Sequence, residues 1–111
     1  MMAESIKELG PLYSSMGSDP DFGELVEMFV EEIPDRIETI STALNTKDRE
    51  LLQRTAHQIK GAMGSYGFDA ATPYAARLEG AVRDGLVGEE LETVVAELID
   101  LCNLVRSGSP Q

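Results

Sequence analysis

The stretch FGELVEMFVEEIPDRIETISTAL, Phe22 to Leu44, decides the fold class. Its apolar residues Phe22, Leu25, Val26, Phe29, Ile33, Ile37, Ile40 and Leu44 recur every three or four positions. That is the period of a helix with one buried face, and it differs from the alternation of a half-buried strand. Pro34 lies inside the stretch and removes one backbone donor, so a kink or a loosened turn is expected there. The apolar stripe stays in phase beyond the proline, which predicts one bent helix and not two. Asp19 followed by Pro20 supplies an N-cap and a first helical position.

The same period continues outward. Turn-rich stretches at Gly17 to Pro20, Asn45 to Asp48 and Asp84 to Gly88 separate the elements. Asp48 caps a second helix that buries Leu51, Leu52, Thr55, Ala56, Ile59, Ala62, Met63 and Tyr66 and ends near Gly67. A third helix starts between Asp69 and Pro73, buries Tyr74, Ala75, Leu78, Ala81 and Val82, and stops at Asp84-Gly85. A fourth begins at Gly88 or Glu89 and carries Leu91, Val94, Val95, Leu98, Ile99, Cys102 and Val105. No strand candidate and no internal repeat is visible. Four helices on short connections predict an all-α, antiparallel up-and-down four-helix bundle. A short amphipathic segment, about Ala3 to Met16, reads as a helix interrupted near Gly10-Pro11. The chain therefore divides into an N-terminal helical segment packing on the bundle (1–18), the bundle (19–106) and a frayed tail (107–111).

Composition narrows the class of function. At 111 residues the chain is one domain, long enough to bury a core without staples. No apolar run approaches the roughly 18 residues needed to span a membrane. MMAESIKELG lacks the basic start and apolar run of a secretory leader, so a cytoplasmic protein is expected. The single cysteine, Cys102, cannot form an internal disulfide and falls on an apolar stripe, as a buried thiol would. A formal charge of -11 repels polyanions, so the expected partners are proteins, with no nucleic acid and no membrane. No heptad pattern outlasts a single helix, and a monomer is expected.

The stretch AHQIKGAMGSYG, Ala56 to Gly67, carries the only histidine and three glycines inside a helical pattern. Each helix-interior glycine costs roughly 1 kcal/mol relative to alanine. With the core stripe turned inward, His57, Lys60, Gly61 and Gly64 cluster on the opposite face. Gly61, one turn beyond the ring, leaves the surface bare for a large partner. For Gly64 and Gly67, close packing against a neighbouring helix is an equal alternative. Arg54 and Lys60 flank the ring, and from Lys47 to Arg77 five cations outnumber three carboxylates, Asp48, Glu50 and Asp69. Such a site suits an incoming phosphoryl group, and flanking cations favour a neutral, nucleophilic imidazole. Metal binding is disfavoured: Gln53, Arg54, Lys60 and Gly61, one turn away, offer no second ligand. No elbow presents a serine or cysteine nucleophile to the ring.

The run AHQIKGAMGSYGF resembles the signature of histidine-containing phosphotransfer domains, four-helix bundles of two-component phosphorelays. The likeness extends through DPDFGELVEMFVEEIPDRIETI before it, Pro34 included, and PYAARLEGAVRDG after it, covering roughly Asp19 to Val105. It implies that His57 accepts a phosphoryl group through Nε2 from a receiver-domain aspartyl phosphate and passes it to a second receiver aspartate. Lys60 would stabilise the phosphoryl oxygens and Gly61 would give steric access, with Arg54 and Gly64 in support. The partners implied are response-regulator receivers and a sensor histidine kinase. The chain would bind no cofactor or metal itself, the magnesium ion belonging to the receiver, and would have no kinase or ATPase activity of its own. Met28 and Val30, off the core stripe of the first long helix, are candidates for a receiver-docking patch. Two alternatives stay open: a phosphate-accepting domain of a chemotaxis-type kinase, and a helical interaction module that is never phosphorylated.

Overall fold

The helical period becomes four helices in the computed structural model of the protein, which describes Ile6 and residues 9–108. They are α1 (Gly23–Asn45), α2 (Arg49–Ser65), α3 (Thr72–Arg83) and α4 (Gly88–Cys102). Successive helices pack on one another, most extensively α2 on α3, and α1 also touches α4. Their apolar faces meet in one core containing Val26, Phe29, Ile33, Leu52, Ile59, Met63, Leu78, Val95 and Leu98. Small residues on the α3 side, the fully buried Ala71 and Ala75, allow this close approach. No helix among the described residues is long and apolar enough to cross a membrane.

Pro34 is accommodated without a break, since α1 runs from Gly23 to Asn45 around it. Its ring lies on the exposed face, where water can serve the Val30 carbonyl that loses its helical donor. Asp48 caps α2 as expected, its carboxylate accepting from the Leu51 N–H at 3.1 Å. Asp19 acts earlier than anticipated. It accepts from the Asp21 and Phe22 N–H groups at 2.8 and 3.2 Å, closing a turn four residues ahead of α1. The helix itself therefore begins at Gly23, not at Pro20. Leu25, assigned to the buried stripe, is 44% exposed, because Val26, Phe29 and Ile33, with Phe22 partly buried beside them, carry the stripe at that end.

Two further expectations need correction. The chain does contain strands: β1 (Leu12–Tyr13) pairs in parallel with β2 (Val105–Arg106), Leu12 opposite Val105 and Tyr13 opposite Arg106. Strands of two residues are too short to leave a periodic signal in sequence. The residues after Gly10-Pro11 are thus extended, not helical, and α4 stops at Cys102 instead of running to Val105. Ile6 is helical and buried, while the rest of the segment before Leu9, like the tail beyond Gly108, lies outside the described residues.

After β1 the chain crosses the end of α2. The Ser14 hydroxyl donates to the Tyr66 carbonyl and the Ser15 N–H to the Gly67 carbonyl at 3.1 Å. Gly67 is there for its backbone: φ is +83°, and a Cβ would stand 2.6 Å from Ser14 Oγ and 3.2 Å from the Ser15 nitrogen. This settles its role in favour of a turn under a crossing segment. Glu97 and Cys102 are also buried. Glu97, 3% exposed on α4, pairs with Arg77 of α3 at 3.1 Å. Burial pushes the Cys102 thiol up to about 12, against a smaller lowering by Arg36, so it is protonated and inert.

Replacing Gly67 by alanine should destabilise the fold by about 1–2 kcal/mol or more, since it adds left-handed strain to a clash. Gly61→Ala should instead stabilise by up to about 1 kcal/mol, because its surroundings are empty within 4 Å and it sits inside a helix. Urea unfolding of both variants checks the pair of opposite signs.

Candidate functional site

The site is built where the solvent-facing side of α2 meets α3. Eight residues after Arg49, just over two turns along, His57 projects from α2 with 66% of its side chain exposed. Lys60, one turn on, lies on the same face with 33% exposed. Gly61 follows, exposed, and a Cβ placed on it would meet nothing within 4 Å. No internal packing therefore requires a glycine at that position. Gly64 continues the bare strip; a Cβ there would make only an ordinary contact with Thr72 Oγ1 at 3.9 Å. Arg54, one turn before the ring, is exposed on α2. The structure thus brings His57, Lys60, Gly61 and Gly64 onto one open face, and Gly67 serves the turn instead.

The residue that sequence reasoning missed is Glu79 of α3. Its Oε2 lies 2.6 Å from His57 Nδ1 and its Oε1 2.6 Å from Lys60 Nζ, with only 15% of the side chain exposed. One carboxylate therefore spans the imidazole and the ammonium. The hydrogen bond from Lys60 holds the Glu79 carboxyl below the usual range; burial opposes this and the bond from His57 adds to it. An ionised carboxylate only accepts hydrogen bonds, so Nδ1 carries the proton. In the neutral ring the lone pair is then on Nε2, the nitrogen away from Glu79.

This arrangement revises the electrostatic expectation. The charge nearest the ring is negative, not positive, and Lys60 is held by the same carboxylate instead of standing free beside the imidazole. A signal for Glu79 did exist: it follows Leu78 on the stripe of α3, at the edge of the face that packs on α2. A tally of charges confined to the neighbourhood of His57 in sequence could not reach it.

Of the expected docking residues, Met28 is 54% exposed on α1, whereas Val30 is partly buried against the core. Leu25, one turn before Met28, joins it at the surface. Among the described residues no group of three or more histidine, cysteine, aspartate or glutamate side chains is placed to hold a metal ion.

A model of the Hpt domain family matches residues 24–108, most of the chain. No curated protein and no solved structure matches it.

The Glu79 carboxyl should titrate below the ordinary glutamate value in the folded protein. Because its folded pKa lies below its unfolded value, the unfolded chain binds more protons in that window, and stability falls with falling pH. The contribution is present above the unfolded pKa and lost as pH drops through the folded one. Carboxyl 13C shifts of Glu79 report the midpoint, and Glu79→Gln should flatten the acid limb of the Tm profile below about pH 4.5.

Proposed function

The chain belongs to the Hpt domain family, and from that premise we propose that it is a phosphorelay intermediate working through His57. The family's business is phosphotransfer in two-component signalling. The finer reading is that His57 Nε2 attacks the phosphorus of a receiver's aspartyl phosphate, the P–O bond to the aspartate breaks, and the carboxylate leaves. A later attack by a second receiver's aspartate reverses the step. The bundle, residues 19–106, is read as antiparallel and up-and-down, a monomeric cytoplasmic phosphoprotein with partners drawn from receivers and a sensor kinase.

The observation that carries this reading is the His57–Glu79 contact at 2.6 Å on an otherwise open face. Attack through Nε2 places positive charge on a ring that keeps its Nδ1 proton. Glu79, already hydrogen-bonded to that proton, offsets the charge as it develops. Phosphoryl transfer runs through a loose transition state, so orientation and charge stabilisation are what such a protein can contribute. Lys60 has three donors and gives one to Glu79, which leaves others for phosphoryl oxygens. Gly61 leaves room for the receiver's active-site loops, and Arg54 adds positive charge near the entrance. The magnesium ion is assigned to the receiver. Leu25 and Met28 are assigned to receiver docking.

Incubation with a phosphorylated receiver should label the chain with acid-labile, base-stable phosphate, and His57→Gln should abolish the label. Labelling that persists in that variant overturns the site, and faster labelling by a kinase catalytic domain than by any receiver moves the chain to a chemotaxis-type kinase. Binding that survives His57→Ala, with no phosphohistidine from any donor, makes it an interaction module. Glu79→Ala should slow transfer by about 10- to 100-fold with the fold intact by circular dichroism. Gly61→Gln should slow it by about tenfold through crowding alone.

A further inference from the structure

The guanidinium of Arg49, the first residue of α2, reaches across to α3. Its Nη2 donates to the Val82 carbonyl and its Nη1 to the Leu86 carbonyl, each at 2.8 Å, and the residue is half-buried. Val82 stands in the last turn of α3 and Leu86 in the connection that follows, so one planar fork grips a helix end together with the loop leaving it. The last carbonyls of a helix find no partner within it and carry the negative end of its dipole. A cation delivered there is held by charge as well as by hydrogen bonds. The basic residue of α3's own last turn, Arg83, turns outward and pairs with the exposed Asp84 at 3.6 Å.

That end of α3 gains from a hold supplied by another helix. The passage into α4 turns on two left-handed glycines, Gly85 at φ 85° and Gly88 at φ 62°, and a Cβ on either would meet nothing within 4 Å. Glycine leaves the backbone its greatest freedom, so the connection by itself fixes the helix end weakly. The fully buried Ala71 and Ala75 bring α3 close to α2, but such short side chains form shallow ridges and resist sliding little. Glu79 tolerates little sliding, because its two oxygens stand 2.6 Å from His57 Nδ1 and 2.6 Å from Lys60 Nζ. Val82 follows Glu79 by three residues, within a single turn. The grip of Arg49 is applied one turn from the carboxylate whose place matters.

We propose that Arg49 is a positioning residue for the phosphoacceptor: by fixing the C-terminal end of α3 on the start of α2, it keeps Glu79 in register with His57 and Lys60. It acts through geometry and not through its own field. His57 stands eight residues further along α2, about 12 Å of helical rise. That exceeds the roughly 8–10 Å over which exposed charges act on one another at physiological salt. The reactive role of His57 is the phosphocarrier reading, on which this inference rests, yet the effect on the ring is visible with no phosphoryl group present.

Long-range 1H–15N spectra of the neutral His57 ring in the full chain test it, beside the Glu79 carboxyl 13C midpoint and the rate of transfer from a phosphorylated receiver. In Arg49→Ala the ring should lose its bias toward the Nδ1–H tautomer. The Glu79 midpoint should rise toward the ordinary glutamate value as its bond to Lys60 loosens, and transfer should slow by about tenfold. Arg83→Ala at the same helix end, and Val26→Ala, which lowers stability from the buried face of α1, should leave the tautomer and the midpoint as they are. Arg49→Lys keeps the charge and one donor without the fork, and should lose part of the bias. The proposal is overturned if folded Arg49→Ala keeps the wild-type ring and midpoint, or if Val26→Ala moves them as far. Should Arg49→Ala not fold, an unchanged ring in Arg49→Lys overturns it alone. A wild-type chain that takes no phosphate from any receiver, with a ring that still follows Arg49, removes the relay reading and upholds the positioning role.

Discussion

The packing of α2 on α3 is the constraint from which the remaining features follow. Among the described residues it is the most extensive helix pair, and buried alanines on α3 make it close. Closeness matters because the Glu79 carboxylate must reach two side chains of the other helix at once, each at 2.6 Å. A slightly wider interface would leave the imidazole free to rotate and Lys60 to drift. Core packing therefore sets the orientation of an exposed ring.

The same interface divides the labour of charge. Glu79 is mostly shielded from water while His57 is mostly exposed, so the fixed partner lies on the inner side of the ring and its other nitrogen on the outer. Lys60 completes a set in which one negative group is shared between a cation and a hydrogen-bond donor. Such sharing is economical in a small protein, because a single well-packed side chain orients two mobile ones.

Much of this was legible in sequence, for identifiable reasons. The four helices announce themselves by the spacing of Val26, Phe29 and Ile33 or Ala75, Leu78 and Val82, and His57 by its isolation on the opposite face. What was hidden depends on contacts between distant positions. Glu79 lies 22 residues from His57, and its place beside Leu78 on the α3 stripe marks an edge of the interface without naming the partner across it. For Gly67 the sequence leaves access and close packing equally open, and its positive φ with the crossing of Ser14 and Ser15 gives it another task. Leu25 keeps the helical period yet sits outside the core, since periodicity fixes a face only to within a residue or so at its edges. The paired strands were invisible because two residues carry no repeat.

Those strands have a mechanical consequence. Leu12 and Tyr13 run in the same direction as Val105 and Arg106, so tension applied through the two chain ends pulls the ladder lengthwise. Loaded in shear, its bonds yield together and not one after another. Because the segment leaving β1 also clasps Tyr66 and Gly67, a tug on either end is resisted before it reaches the helix that carries the ring.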